Sequence, residues 1–276
     1  MKQFGITAVQ SALIGLFLQI VALPVQALEI RGEWLQGSML IGRVAPGESV
    51  EFNGRMSRVD KDGWFVIGLG RDEPHNAVVK VHTGGQQKPY EYTVASRQYQ
   101  EQRVTGVPQE TVTPPDSVLK RIAEEALLVK QARSIDSSPY YFLQGFKKPL
   151  QGPITGVYGS RRVYNGTPKN PHYGLDIAAP EGALVYAPAP GTVRLVHADM
   201  YFSGGTLIID HGGGIFSTYI HLSDILVKEG EDVDYSTPVA KVGSTGRATG
   251  PHLDWRINWF DTRVDPALVL KNFPAR

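Results

Sequence analysis

The chain has 276 residues, of which 42% are hydrophobic and 20% charged, a balance that suits one large or two modest folded domains and excludes disorder throughout. With 28 Lys and Arg against 27 Asp and Glu, it lacks the basic footprint of a nucleic-acid binder, and no nucleic-acid partner is expected. The absence of cysteine rules out disulfides and a cysteine nucleophile.

Residues 1–27 have their own character. Lys2 precedes a mostly apolar run from Ile6 to Leu23, interrupted by Thr7, Gln10, Ser11 and Gln19, and Pro24 leads into the small-residue ending Val25-Gln26-Ala27. This is the layout of a secretory signal peptide cut after Ala27, so export to the cell envelope or periplasm is expected; an uncleaved membrane anchor is the alternative. Residues 28–100 alternate short β-like runs with turn clusters such as Ala45-Pro46-Gly47, Asp62-Gly63 and Gly84-Gly85, which predicts a small β-sandwich-like domain. Its Arg71, Asp72, His75 and His82 read as solvated strand-end residues, since they are scattered and do not converge.

Residues 101–140 read as a linker with one helix. Pro108, Pro114 and Pro115 punctuate a polar stretch, and Asp116 is placed to cap a helix over 117–133 whose Leu119, Ile122, Ala126 and Val129 recur at helical spacing. From 141 to 276 the pattern is β-rich again, with Gly and Pro every few residues and the hairpin signal Gly212-Gly213-Gly214. The chain as a whole is therefore expected to be mostly β, its C-terminal part an antiparallel β-rich domain.

Three motifs in this last region carry chemistry. His172 and Asp176, four residues apart with Gly174 between them, have the donor types to converge on a cation, or to form a plain hydrogen-bonded pair. In Ser217-Thr218-Tyr219-Ile220-His221-Leu222, strand alternation puts Ser217, Tyr219 and His221 on one face, with His221 an acid-base group or a surface histidine. In Gly250-Pro251-His252-Leu253-Asp254-Trp255-Arg256, the same alternation pairs His252 with Asp254 on one face, as half of a metal site or as a solvated polar face.

The order H-x-G-x-D, Tyr-x-His-Leu and Gly-Pro-His-x-Asp, with the turn Ala187-Pro188-Ala189-Pro190-Gly191-Thr192-Val193 between the first two, resembles the lysostaphin/LytM group of zinc metallopeptidases over roughly 149–269. The resemblance implies a duplicated hybrid motif fold and one zinc per chain held by His172, Asp176 and Asp254, with another divalent metal as the alternative. It makes His221 and His252 the non-ligand catalytic histidines and peptidoglycan peptide the substrate of an endopeptidase. Tyr219 and Arg161 are candidate groove residues by position. The departure is Asp254, where the family has the second histidine of an H-x-H pair. A carboxylate is an accepted zinc ligand, but two of them cancel the charge of a divalent ion and weaken its polarising power. The rival readings are a weak or inactive relative that binds wall or activates another envelope hydrolase, and a plain β-rich structural or carbohydrate-binding protein.

Overall fold

A computed structural model describes residues 28–276; the leader read at 1–27 lies outside the described residues. The first strands are β1 (Glu29–Arg31), β2 (Met39–Arg43), β3 (Ser49–Phe52), β4 (Arg55–Ser57), β5 (Trp64–Gly68), β6 (Asn76–Thr83) and β7 (Gln86–Thr93). They form two antiparallel sheets, ordered β1-β2-β5 and β4-β3-β6-β7. In β6 the apolar residues Ala77, Val79 and Val81 are buried while Asn76 and Val78 are exposed, the two-residue period of a strand with one face on a core. Gly84 and Gly85, both at positive φ, supply the left-handed pair that a two-residue hairpin turn requires.

The next segment contains β8 (Glu101–Val104), α1 (Gln109–Val112) and α2 (Asp116–Ala132). In α2, Pro115 is the N-cap and Asp116 the first helical residue, without a side-chain cap bond. The apolar stripe is also rotated from the one read in the sequence. Val118, Ile122, Glu125, Val129 and Ala132 face the protein, whereas Leu119, Leu127 and Leu128 are exposed. A charged residue explains the rotation: the Glu125 carboxylate accepts from the Tyr201 amide at 2.8 Å and from Arg121 Nε at 2.7 Å, and this anchoring turns the helix face around it.

The remaining strands are β9 (Ile154–Gly156), β10 (Arg161–Tyr164), β11 (Thr167–Lys169), β12 (Leu175–Ala178), β13 (Leu184–Tyr186), β14 (Gly191–Met200), β15 (Gly204–Asp210), β16 (Ile215–Ile225), β17 (Asp232–Val233), β18 (Pro238–Val242), β19 (His252–Trp259) and β20 (Thr262–Val264), followed by α3 (Pro266–Asn272). The central path of the large antiparallel sheet runs β17-β14-β15-β16-β19-β12-β9, with β18 and β13 joined through β16 and β20 on β19. The small sheet β11-β10-β8 contains a parallel pair, in which β8 from the connecting segment lies along β10.

One cluster of buried apolar residues runs from Met39 to Val269. The first sheets dock directly on the large one, with the Phe52 and Trp259 rings 6.2 Å apart. Gly68 allows this approach, because a Cβ there would stand 2.8 Å from the Cβ of Trp259. Among the described residues, no helix is long and apolar enough to cross a membrane.

Candidate metal centre and its groove

The centre is assembled by strand register. β12 pairs with β19 so that Asp176 lies opposite Asp254 and Ala178 opposite His252, and the loop before β12 brings in His172. One donor atom from each of His172, Asp176 and Asp254 lies within 4.8 Å of the other two, and all three residues are buried. His172 Nε2 is 2.9 Å from Asp176 Oδ1 and 3.3 Å from Asp254 Oδ2. Its Nδ1 lies 3.2 Å from the Val157 carbonyl and donates to it, which turns the second nitrogen toward the carboxylates, the orientation a metal-binding imidazole needs.

Two glycines make room for the acids. A Cβ at Gly174 would collide with Asp254 Oδ1, and one at Gly156 would collide with Asp176 Oδ2. Asp176 Oδ1 is buried without a hydrogen-bond donor, although His172 Nε2 stands 2.9 Å away. A nitrogen and two carboxylates, one with an orphaned oxygen, form a donor set that suits a divalent cation.

Two arginines also reach this centre. Arg162 Nη2 donates to Asp176 Oδ2 at 2.8 Å. Arg256 takes both oxygens of Asp254, with Nε to Oδ1 at 2.9 Å and Nη2 to Oδ2 at 2.5 Å. Burial alone would raise the Asp254 pKa, but Arg256 and His172 hold it well below the ordinary value; Asp176 is lowered against burial by His172 and Arg162. Burial would likewise lower the His172 pKa, and the two carboxylates raise it instead.

The two remaining imidazoles stand together, with ring centroids 4.9 Å apart. His221 Nδ1 donates to the Thr245 carbonyl and His252 Nδ1 to the Gly250 carbonyl, each at 2.8 Å, so each ring keeps Nε2 as its other polar atom. Burial pushes the His221 pKa down to about 4, and the ring is neutral at neutral pH.

His221 reaches the groove through a break in strand alternation. Gly205 pairs with Leu222 and Leu207 with Tyr219, so Ile220 and His221 together oppose Thr206. This is a β-bulge, and His221 adopts φ 67° within it. Ile220 and His221 consequently both line the groove. Tyr219 does not, which corrects the placement of Ser217, Tyr219 and His221 on one face. It is fully buried on the opposite side, and its hydroxyl joins the chain Tyr219–Ser217–His211 through contacts of 3.0 and 2.7 Å. Arg161 is exposed and does not line the groove; Arg162 does.

The groove has a volume of about 740 Å³. Part of its wall comes from the connecting segment, where Thr111 and Val112 are buried and the Thr111 carbonyl accepts from Arg247 at 3.2 Å. Arg162, Arg247, Arg256 and Arg263 line it, and none of them belongs to the candidate residues that the sequence motifs supply. For Arg256 a signal existed: alternation along β19 puts it on the same face as Asp254.

The family model for Peptidase family M23 matches residues 170–266, the stretch that contains His172, Asp176, His221, His252 and Asp254. A solved structure from Pseudomonas aeruginosa, assigned to peptidase M23, is 30% identical, with a TM-score of 0.70 and coverage of 88% of this chain and 97% of its own. The chain belongs to peptidase family M23. Other M23-related similarities cover less. Peptidoglycan DD-endopeptidase ShyB of Vibrio cholerae is 37% identical over 123 residues, 45% of this chain and 26% of ShyB. Cell division protein DipM of Caulobacter vibrioides is 31% identical over 165 residues, 58% of this chain and 26% of DipM. The M23 chain spans about a quarter of the length of these curated relatives.

Proposed function

We propose that this M23 chain is a metal-dependent endopeptidase that hydrolyses peptide bonds in bacterial peptidoglycan, acting in the cell envelope or periplasm. The observation that carries the reading is the meeting of His172, Asp176 and Asp254, with donor atoms within 4.8 Å, beside an imidazole pair 4.9 Å apart. The name of the similar ShyB points to the same substrate. His172, Asp176 and Asp254 would hold one zinc per chain. When bound, the metal supplies Lewis-acid polarisation of the scissile carbonyl and of the attacking water.

The protein's own groups do the rest. With Nδ1 committed to backbone carbonyls, His221 and His252 present fixed Nε2 atoms, which accept a proton from water and, once protonated, donate to the developing oxyanion. The low pKa of His221 makes the neutral ring its resting form. Arg256 compensates for the departure at Asp254: a carboxylate paired with a guanidinium has no net charge, like the neutral imidazole it replaces.

A second reading, wall binding or activation of another hydrolase without cleavage, is favoured by the grip of Arg256 on both Asp254 oxygens. The two readings separate on metal content, measured by elemental mass spectrometry of purified protein. About one zinc per chain, lost in Asp254→Ala and kept in Asp254→His, together with release of peptide from purified peptidoglycan, supports the enzyme. Failure to take up zinc, even from added salt, sinks it in favour of the binding role.

A further inference from the structure

The groove is more cationic than its metal ligands require. Arg162, Lys169, Arg247, Arg256 and Arg263 line it, against the acids Asp176 and Asp254, although the whole chain is balanced at 28 basic and 27 acidic residues. Both acids are already paired, with Arg162 and Arg256. Arg247 and Arg263 form no ion pair among the described residues.

These two arginines are held in place by aromatic rings. Arg263 sits on β20 opposite Asn258 of β19, which turns it to the face that carries Asp254 and Arg256. Its guanidinium lies over the Tyr173 ring, 4.7 Å from the centroid. Burial and the neighbouring Arg256 push its pKa down to about 10. Arg247, on another wall, is packed between Tyr164 and Phe202, 5.0 and 4.8 Å from their centroids, and spends one donor on the Thr111 carbonyl. Burial lowers its pKa as well. A planar guanidinium fixed on a ring, desolvated and without an acid, is prepared for a carboxylate, which it binds through two parallel hydrogen bonds. Arg133 adds a third unpaired guanidinium beneath the same face, donating to Thr218 Oγ1 at 2.8 Å, with a pKa lowered to about 9 by burial and by Arg263 and Arg256.

We propose that the groove selects acidic peptides, with Arg263 and Arg247 each receiving a free carboxylate of the substrate. The inference rests on the peptidase reading and narrows it: uncharged glycine-type bridges are poor ligands, and peptides with unamidated acidic side chains or termini are good ones.

The test compares a synthetic cross-linked wall peptide with free carboxylates and the same peptide fully amidated. Binding is measured by calorimetry on the full chain carrying His252→Ala, and hydrolysis on the parent protein. The amidated peptide should bind at least tenfold more weakly. Arg263→Met should weaken the free-acid peptide about tenfold and leave the amidated one unchanged. The comparison of peptides requires no arginine variant to fold. Equal affinity for the two peptides, or no binding of either at millimolar concentration, overturns the proposal. Equal hydrolysis of both overturns it while the peptidase reading stands; carboxylate-dependent binding without hydrolysis upholds it and sinks the peptidase reading.

Discussion

Two residues carry most of the chemistry that is specific to this chain. In the proposed metal site Asp254 would be a weakened donor as long as Arg256 holds both of its oxygens, because the guanidinium and a metal would compete for the carboxylate's electron density. Arg256→Met should therefore tighten zinc binding, by on the order of 2 kcal/mol or about thirtyfold, as read by competition with a chromophoric chelator. In chelated protein the same variant should lower the melting temperature, since it strands a buried carboxylate, and zinc should restore it. A weaker zinc affinity in the variant would show that Arg256 supports the site and does not compete with it. His211 offers a test at a distance from the groove. It is fully buried between the Pro190 carbonyl and Ser217, and burial lowers its pKa from 6.5 to about 4. The unfolded chain thus binds the extra proton first as pH falls. Its contribution is intact above about pH 6.5 and is lost as pH drops toward 4, roughly 3 kcal/mol in all. Urea unfolding at pH 7 and pH 4.5 should show a loss of at least that size, because burial lowers the His221 pKa to about 4 as well, and His211→Gln should remove the His211 share of it and leave the rest.

At the scale of elements, register and glycine space build the centre. Asp176 meets Asp254 because β12 and β19 pair with those residues opposed, and Gly174 leaves the room that the Asp254 carboxylate occupies. Gly174→Ala should fold, since its backbone is outside the left-handed region, yet cut zinc occupancy at least tenfold by displacing the carboxylate. Full zinc occupancy in that variant would show that the space is not needed. The same elements explain what could be read in the sequence. Alternation along β19 separates His252 and Asp254 from the buried Leu253 and Trp255 correctly, because that stretch of strand is regular. It holds from Ser217 to Tyr219 and fails at His221, since the bulge that turns His221 into the groove depends on the pairing of β16 with β15, which no local pattern reveals. The sequence does not distinguish Arg161 from Arg162 for a similar reason: which of two adjacent arginines faces inward depends on the partner strand β8. In α2 the exposed Leu119 and the anchored Glu125 show tertiary contacts overriding a weak apolar stripe.

Across the whole molecule, the first sheets, the connecting segment and the large sheet share one buried cluster from Met39 to Val269. The groove wall built by Thr111 and Val112 is tied by Arg247 and by Lys169, whose ammonium donates to the Val112 carbonyl. Widening the groove on that side therefore means breaking bonds to buried backbone. The charge balance of the chain, 28 to 27, conceals a cationic interior surface, so association with acidic ligands should weaken as salt is added, by screening over about 10 Å at 0.1 M. The arginines also change what the metal is for. Two facing carboxylates usually need their cation before a fold can close around them, but Arg162 and Arg256 already neutralise Asp176 and Asp254. Folding is therefore expected not to depend on metal acquisition. Chelator treatment should lower the melting temperature by only a few degrees, about what a loss of 1 to 2 kcal/mol produces in a chain of this size, whereas outright unfolding would show that the ion is a structural keystone. A chain whose acids are already paired in this way can complete its folding first, and an ion at the proposed centre would be collected afterwards.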